Sequence, residues 1–429
     1  MTTPDSFGRR IQSSIYENGI FGIRPAVPTA PTVLERKALD HLSADARAYV
    51  ETGAGSGATM AANRAAFDRW RIVPRLLRDV SDRDTSIELF GRRHPSPFLT
   101  CPIGVLELAD TGADLAVARA ARQAGTPMII SSQASYPMEQ IAGELADHER
   151  WFQLYWSNED AVVESFVHRA EQCGCSAIVV TLDTMVLSWR TGDLDRAYLP
   201  FARAMGIAQY TSDPEFQRIV QERLDQGEIP DVAAKPTPAA VKSLFTMARR
   251  HPGEFRENLT SPLPKASVRT FLEVFSRTTL TWQDLAWLRD RTSLPILVKG
   301  LQSAQDAALA LQHGVDGIIV SNHGGRQLDG ALGSLDALPP IVAEVGGRVP
   351  VLFDSGVRCA SDAFKALALG ADAVCLGRPF VYGLALAGEQ GVREVLEHFR
   401  AELDLTMAVA GVTAIDQITR DTLVEAPTG

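Results

Sequence analysis

The stretch Ser321-Asn-His323-Gly-Gly-Arg326 places an imidazole three positions before a guanidinium on a glycine-rich string. Histidine is a base near neutral pH, and the arginine fork grips a carboxylate. Together they suit proton removal from a hydroxyl beside a carboxylate, as oxidation of a 2-hydroxy acid requires. The plainer alternative is a histidine capping the next turn and a surface arginine. Lys299 ends the apolar run Pro295-Ile-Leu-Val-Lys299. An ammonium aimed inward there must meet an anion or lose its proton. It suits a Schiff-base nucleophile, as in an aldolase or isomerase, or a charge that neutralises a cofactor ring. A lysine snorkelling back to solvent is the third option. Asp354-Ser355-Gly356-Val-Arg358 and Gly377-Arg378-Pro379 each join glycine to arginine. Glycines admit an oxyanion to backbone N–H groups and arginine adds a forked charge, which suits a phosphate. Either string alone also reads as a tight turn with a solvated arginine.

Each of these strings follows a strand-like run. Short apolar runs occur at Pro97–Cys101, Pro127–Ile130, Trp151–Tyr155, Ala177–Thr181, Pro295–Lys299, Asp316–Val320, Val349–Phe353 and Ala371–Cys375. Helix-like stretches such as Ala304–His313 and Ala360–Leu369 lie between them. The alternation predicts parallel βαβ units, and eight strands are the number of an α/β (β/α)8 barrel. A doubly wound open sheet is the alternative. In a barrel, residues just past each strand face the active site. They are Pro102-Ile103-Gly104, Ser131, Gln153 with Tyr155, Thr181 with Asp183, Lys299, Ser321 to Arg326, Asp354 to Arg358, and Gly377-Arg378. The whole chain, residues 1–429, reads as one barrel domain with two additions. Residues 1–95 read as a helical extension, with helices over Leu34–Thr52 and Met60–Trp70. Residues 191–277, rich in proline (Pro230 and Pro236 among them) and mixed charge, read as an insertion that covers the barrel mouth. Tyr210 within it is a lid candidate, though an exposed loop tyrosine is the simpler expectation.

Composition narrows the function. The 429-residue chain is 45% hydrophobic and 22% charged, as in soluble globular proteins. Its net charge of −10 lacks the basic footprint of a nucleic-acid binder. No apolar run reaches the ~20 residues of a membrane span. The opening Met1-Thr-Thr-Pro-Asp-Ser-Phe shows no secretory pattern. Five cysteines, with Cys173-Gly-Cys175 the single close pair, point to reduced thiols in the cytoplasm and to no metal site. No Gly-X-Gly-X-X-Gly follows an early strand, so a cofactor with one phosphate is expected in place of a dinucleotide.

Five strings carry a resemblance: Ser321 to Gln327, Lys365-Ala-Leu-Ala-Leu-Gly-Ala371, Gly377-Arg-Pro379, Phe152-Gln-Leu-Tyr155 and Thr181-Leu-Asp-Thr184. On these the chain resembles the FMN-dependent L-2-hydroxy acid oxidases and dehydrogenases, from about residue 15 to 420 outside the 191–277 region. Within them it is most similar to the lactate 2-monooxygenase type. The pointers are Tyr16-Glu-Asn-Gly, Phe21-Gly-Ile, Pro102-Ile-Gly-Val105, Trp189-Arg190 and Phe353-Asp-Ser-Gly356. The resemblance implies FMN as cofactor, and His323 as base with Asp183 raising its pKa. It implies that Tyr155 reaches the substrate oxygen, and that Arg190 and Arg326 clamp the carboxylate with help from Tyr49. Lys299 would stabilise the reduced ring. Gln153, Thr181, Ser131 and Ser321 would bond the ring edge, beside Pro102, Ile103 and Gly104. Asp354 would bind the ribityl chain, with Ser355 in the same cofactor loop. Gly356, Arg358, Gly377 and Arg378 would hold the phosphate. The implied partners are a 2-hydroxy acid and oxygen, in a tetramer or octamer.

Gly104 stands where most of that family has alanine, and the monooxygenase type has glycine. That implies retention of the keto acid and its decarboxylation in the site. Gln133 departs from that type, where an apolar residue is expected, and a polar amide there favours a larger or more polar acid than lactate. A plain oxidase releasing peroxide remains open, as does a dehydrogenase using another acceptor.

Overall fold

The computed structural model describes residues 6–228 and 237–426. Eight parallel strands close into a barrel. They are β1 (Phe98–Thr100), β2 (Met128–Ser131), β3 (Arg150–Leu154), β4 (Ile178–Thr181), β5 (Ile296–Leu301), β6 (Gly317–Val320), β7 (Val351–Phe353) and β8 (Ala373–Leu376). β8 pairs with β1, Leu376 opposite Thr100, so the ring has no edge and an open doubly wound sheet is excluded. All eight strands fall within about two residues of the apolar runs. The reason is burial on both faces, which makes parallel strands read as continuous apolar segments. Inside the ring pack Leu99, Ile129, Trp151, Val179, Leu297, Ile319 and Leu352. Alternate residues, Phe98, Ile130, Phe152, Ile178 and Val180 among them, join the larger core under the helices.

Connections follow the expected beat. Helices Ala304–Gln312, Ser334–Val345 and Ala360–Ala368 separate the later strands. Helix Arg378–Ala410 starts directly after β8 and is kinked at Ala387 and Gly388.

The N-terminal extension is helical as expected, but its helices are divided differently and short strands follow them. Helices Phe7–Ile20, Pro31–His41, Ala44–Glu51 and Ala58–Asp68 are present. The helix expected over Leu34–Thr52 is therefore two. Ser43 breaks it, because its hydroxyl caps the second helix by accepting from the Ala46 amide at 3.3 Å. Trp70–Ile72 pairs with Leu423–Glu425. A hairpin of Ile87–Leu89 and Arg92–His94 closes the N-terminal end of the barrel, where Phe90 meets Trp151 edge-on at 5.7 Å.

Residues 191–277 follow β4 with a series of short helices, the longest described being Pro238–Arg250. They lean on the loops after β1 and β2. The Ala208 amide donates to Ala134 O (3.3 Å), and Arg250 Nε donates to Glu107 Oε2 (2.6 Å). Pro230 and Pro236 lie outside the described residues, as does the start of the chain through Asp5. Tyr210 corrects an expectation: it is fully buried, packed by Phe166, Phe216 and Phe271. Three aromatic partners, two of them from distant segments, shield it, so it is core and not an exposed lid residue.

Candidate active site

Loops at the C-terminal ends of the strands enclose one cavity. His323 enters it from the loop after β6. Its Nδ1 lies 2.8 Å from Asp183 Oδ1, from the loop after β4. A carboxylate accepts only, so the ring proton sits on Nδ1 and the Nε2 lone pair faces the cavity. Nε2 is 3.4 Å from the Tyr155 hydroxyl. Burial drives the imidazole pKa below its ordinary value, and Asp183 opposes this only in part. The expectation that Asp183 raises it is right in sign for the pair and wrong for the net, because desolvation outweighs one neighbouring charge. The result is a neutral histidine able to accept a proton at neutral pH. Burial, then Asp183, pushes the Tyr155 phenol up to about 12, so it stays a donor. Asp183 approaches closely because residue 300 is glycine at φ +110; a Cβ there would stand 2.8 Å from Asp183 Cβ.

Cations ring the same space. Arg190 and Arg326 both line it. Arg190 is held through Nε to Ser188 Oγ (3.2 Å) and through a terminal nitrogen to Gln327 Oε1 (3.1 Å). Arg326 donates to the Tyr49 and Thr52 carbonyls and lies over the Tyr49 ring at 4.7 Å. Neither guanidinium has a carboxylate bonded to it among the described residues, which leaves charge for an anionic ligand. Lys299 is buried and finds its anion: Nζ is 3.1 Å from Asp354 Oδ2 and donates to Ser321 Oγ at 2.9 Å. Burial opposes its charge, but Asp354 and Asp183 prevail and hold its pKa above the ordinary lysine value. A lysine so held is no amine nucleophile, which removes the aldolase reading.

The second end of the cavity is built from the β7 and β8 loops. Gly356 (φ +88), Arg358, Gly377 and Arg378 line it. A Cβ on Gly356 would press on Asn63 O at 3.0 Å. Gly377 begins the helix Arg378–Ala410, whose free N–H groups favour an anion. Arg378 donates to the Val50 and Gly324 carbonyls, at 2.9 and 3.1 Å. Burial, then the nearby Arg358, holds its pKa down to about 9. Arg358 has Glu35 Oε2 at 3.6 Å, whereas Arg378 has no carboxylate at ion-pair distance among the described residues, so the cradle keeps positive charge for an anionic group.

Between the two ends, buried polar atoms await partners. Gln153 Nε2, Thr181 Oγ1 and Thr100 Oγ1, at the ends of β3, β4 and β1, have none. Gln153 Oε1 is meanwhile fixed by the Ser132 amide at 3.2 Å and by Ser131 Oγ at 3.3 Å. Buried polar atoms are rarely left unpaired, so a polar-edged group fits against them. Phosphate cradle, polar shelf and buried ammonium together suit a flavin mononucleotide.

Known proteins agree with this geometry. The family model for FMN-dependent dehydrogenases matches residues 38–425. The chain belongs to the FMN-dependent 2-hydroxy acid oxidase family. It is 41% identical to an L-lactate oxidase of Lysinibacillus sphaericus, over 91% of this chain and 92% of that one. It is 39% identical to an FMN-dependent alpha-hydroxy acid dehydrogenase of Penicillium citrinum, over 97% and 96%. A crystal structure of mandelate oxidase with (S)-4-hydroxymandelic acid superposes with a TM-score of 0.75. It is 34% identical, covering 93% of this chain and 99% of that one. As a member of this family the chain is an FMN-dependent oxidoreductase acting on 2-hydroxy acids.

Of the residues singled out from sequence, sixteen line the cavity: Tyr49, Pro102, Ile103, Gly104, Gln133, Tyr155, Arg190, Lys299, His323, Arg326, Asp354, Ser355, Gly356, Arg358, Gly377 and Arg378. Asp183 and Ser321 stand one bond behind it, on His323 and Lys299. Ser131, Gln153 and Thr181 form the shelf. Other residues take part that the sequence motifs do not single out. Thr184 Oγ1 donates to Asp183 Oδ1 at 3.0 Å, and its position in Thr181-Leu-Asp-Thr184 was the available signal. Asn63 and Asn322 exchange amide bonds of 2.8 and 2.6 Å across 259 positions, which nothing local in the sequence announces. Gly104 and Gln133 touch: a Cβ on Gly104 would stand 2.9 Å from Gln133 Cβ.

Proposed function

We propose that this enzyme oxidises a small L-2-hydroxy acid to its 2-keto acid with oxygen as final acceptor. We further propose that it retains the keto acid while oxygen is reduced to hydrogen peroxide, which then oxidises the keto acid to the shortened acid, carbon dioxide and water, in the manner of the lactate 2-monooxygenase type. The observation that carries the oxidation is the His323–Asp183 pair, 2.8 Å apart, beside two guanidiniums with no carboxylate bonded to them among the described residues. Arg190 and Arg326 bind the substrate carboxylate and so fix which face of the α-carbon is presented. Neutral His323 takes the hydroxyl proton at Nε2, and Asp183 stabilises the imidazolium that results. Tyr155, protonated throughout, donates to the substrate oxygen. Lys299, held charged by Asp354, supplies a fixed positive charge. Bound FMN supplies the two-electron acceptor. Arg358, Arg378, Gly356 and Gly377 hold its phosphate; Gln153, Thr181, Ser131 and Ser321 meet its ring, flanked by Pro102, Ile103 and Gly104.

Gly104 supports the decarboxylating outcome. One observation favours the plain oxidase instead: Gln133 fills the space that the absent methyl leaves. The polar Gln133 also favours an acid larger or more polar than lactate. Five free cysteines fit a reducing cytoplasm. The exposed Tyr16, Ile20, Phe21 and Ile23 fit a subunit contact in a tetramer or octamer. Product analysis under oxygen, across a panel of L-2-hydroxy acids, tests the reading. Shortened acid and carbon dioxide support it. Stoichiometric peroxide and intact keto acid move the outcome to the oxidase, and inactivity on every acid overturns the reading.

A further inference from the structure

Ser355 sits at φ +83, a left-handed conformation that disfavours any residue with a Cβ. A glycine would adopt it without strain, so the hydroxyl has a reason to be there. Ser355 Oγ accepts from the Gly324 amide (2.9 Å) and the Asn322 amide (3.3 Å), and it donates to Asp354 Oδ1 (2.7 Å). A hydroxyl has two lone pairs and one proton, so its capacity is filled. The two amides flank His323, itself at φ +59. The His323 amide goes to Ser321 Oγ at 3.0 Å, the same oxygen that takes Lys299 Nζ at 2.9 Å. Asp354 Oδ2 returns to Lys299 Nζ at 3.1 Å. A ring of polar contacts therefore runs Lys299, Ser321, His323, Gly324, Ser355, Asp354 and back to Lys299.

We propose that Ser355 is a positioning residue for the reaction: its hydroxyl clamps the turn that aims His323 and ties that turn to the Lys299–Asp354 pair. This rests on His323 being the base. The β7 loop, which holds phosphate with its glycine and arginine, thereby also sets the base on the neighbouring loop. Without the hydroxyl, two amides in a strained turn lose their acceptor and the imidazole is free to drift from Asp183.

The test is Ser355→Gly, which suits φ +83 and removes the whole hydroxymethyl group, with Ser355→Ala as a second variant that removes only the hydroxyl and keeps the strain. Both are compared with wild type as holoenzyme. Ser355→Gly should keep its FMN, melt within a few degrees of wild type and hold KM within about twofold. Its flavin reduction, followed anaerobically, should slow about 10- to 100-fold, the scale of a small misplacement of a catalytic group. Independently of turnover, the ¹⁵N shifts of the His323 ring should titrate at lower pH than in wild type, because separation from Asp183 removes the influence that raises it. Ser355→Ala should show the same slowing with a lower melting temperature. Wild-type reduction rate and ring titration in Ser355→Gly overturn the proposal, as does slowing that only tracks lost FMN. His323→Ala separates the two readings. Full reduction in that variant sinks the base assignment itself, whereas a slow His323→Ala beside a fast Ser355→Gly sinks only the clamp.

Discussion

Replacing Gly104 with alanine tests how the reactive edge of the cavity is packed. Residue 104 has no positive φ, so alanine meets no backbone penalty. The cost is steric. The new Cβ would stand 2.9 Å from Gln133 Cβ, 3.1 Å from Gln133 O and 3.4 Å from Gln133 Oε1. Carbon atoms rest about 3.5–4.0 Å apart, so the shortfall against Gln133 Cβ is more than half an ångström. A Cβ and a carbonyl cannot swing aside as a side-chain tip can, so the 131–135 loop must move. That loop is pinned: the Gln133 amide donates to Ser131 Oγ (3.1 Å), Gln133 O accepts from the Val105 amide (3.0 Å), and the Ser135 amide donates to Asp114 Oδ2 (2.8 Å). Overpacking of this kind costs about 1–3 kcal/mol. Thermal unfolding should therefore show Gly104→Ala melting a few degrees lower. Gln133→Gly removes the Cβ and the amide, so the double variant should recover part of the loss, with a coupling of about 1 kcal/mol. Rapid mixing of each half-reaction gives the functional side. The base and the clamp come from loops after β4 and β6, away from the contact. Reoxidation and the ratio of peroxide to decarboxylated product should thus change more than flavin reduction. Additive stabilities in the cycle would refute the packing argument. Slower reduction with unchanged reoxidation and product ratio would refute the functional one.

Burial holds His323 below its ordinary pKa, and an imidazole accepts a proton only when neutral, as its proposed role requires. Reduction should therefore persist on the alkaline side and fall as pH drops through the depressed pKa, with the acid limb of kcat/KM below pH ~6.5; a limb above that value contradicts the assignment. Asp183→Asn should lower that limb further, since an influence that raises the pKa is lost, and should slow reduction on the order of 10²–10⁴-fold; stopped-flow across pH reads both. Lys299→Met leaves Asp354 buried without its cation and should destabilise by about 3–5 kcal/mol in a denaturant titration, with Asp354→Asn in the same chain restoring part of it. Arg378→Ala removes a buried charged donor beside the β7–β8 cradle, worth about 1.5–3 kcal/mol, so FMN should bind roughly 10- to 100-fold more weakly by fluorescence titration.

The barrel was legible because its strands are buried on both faces and leave uninterrupted apolar runs, each followed by polar residues that a core would not take. That His323, Lys299, Arg358 and Arg378 meet in one cavity was legible for the same reason: charge directly after such a run has one destination in a barrel. The elements outside that grammar were not. The hairpin at the barrel floor turns through Phe90 and Gly91, both at positive φ, without an Asn-Gly or Asp-Gly to announce it. Tyr210 sits in a stretch that looks like exposed loop, and its burial depends on Phe166 and Phe271, each more than forty residues away.

What sequence conveyed least was the strength and balance of contacts among residues it had already named. The family resemblance pairs Asp183 with His323, but the direction of the histidine pKa depends on how deeply both are covered, which no motif encodes. Gly104 and Gln133 were each noticed alone. Their contact makes them one feature, because the place a methyl on residue 104 would take is already occupied by Gln133. Ser355 is the same lesson in a third place. As a letter in Asp354-Ser355-Gly356 it looks like part of a phosphate loop. Its positive φ and its three hydrogen bonds also tie it to the turn that carries His323. Residue types after the strands thus define which chemistry is possible, and the non-local contacts among them set the base strength, the space and the aim with which it is carried out.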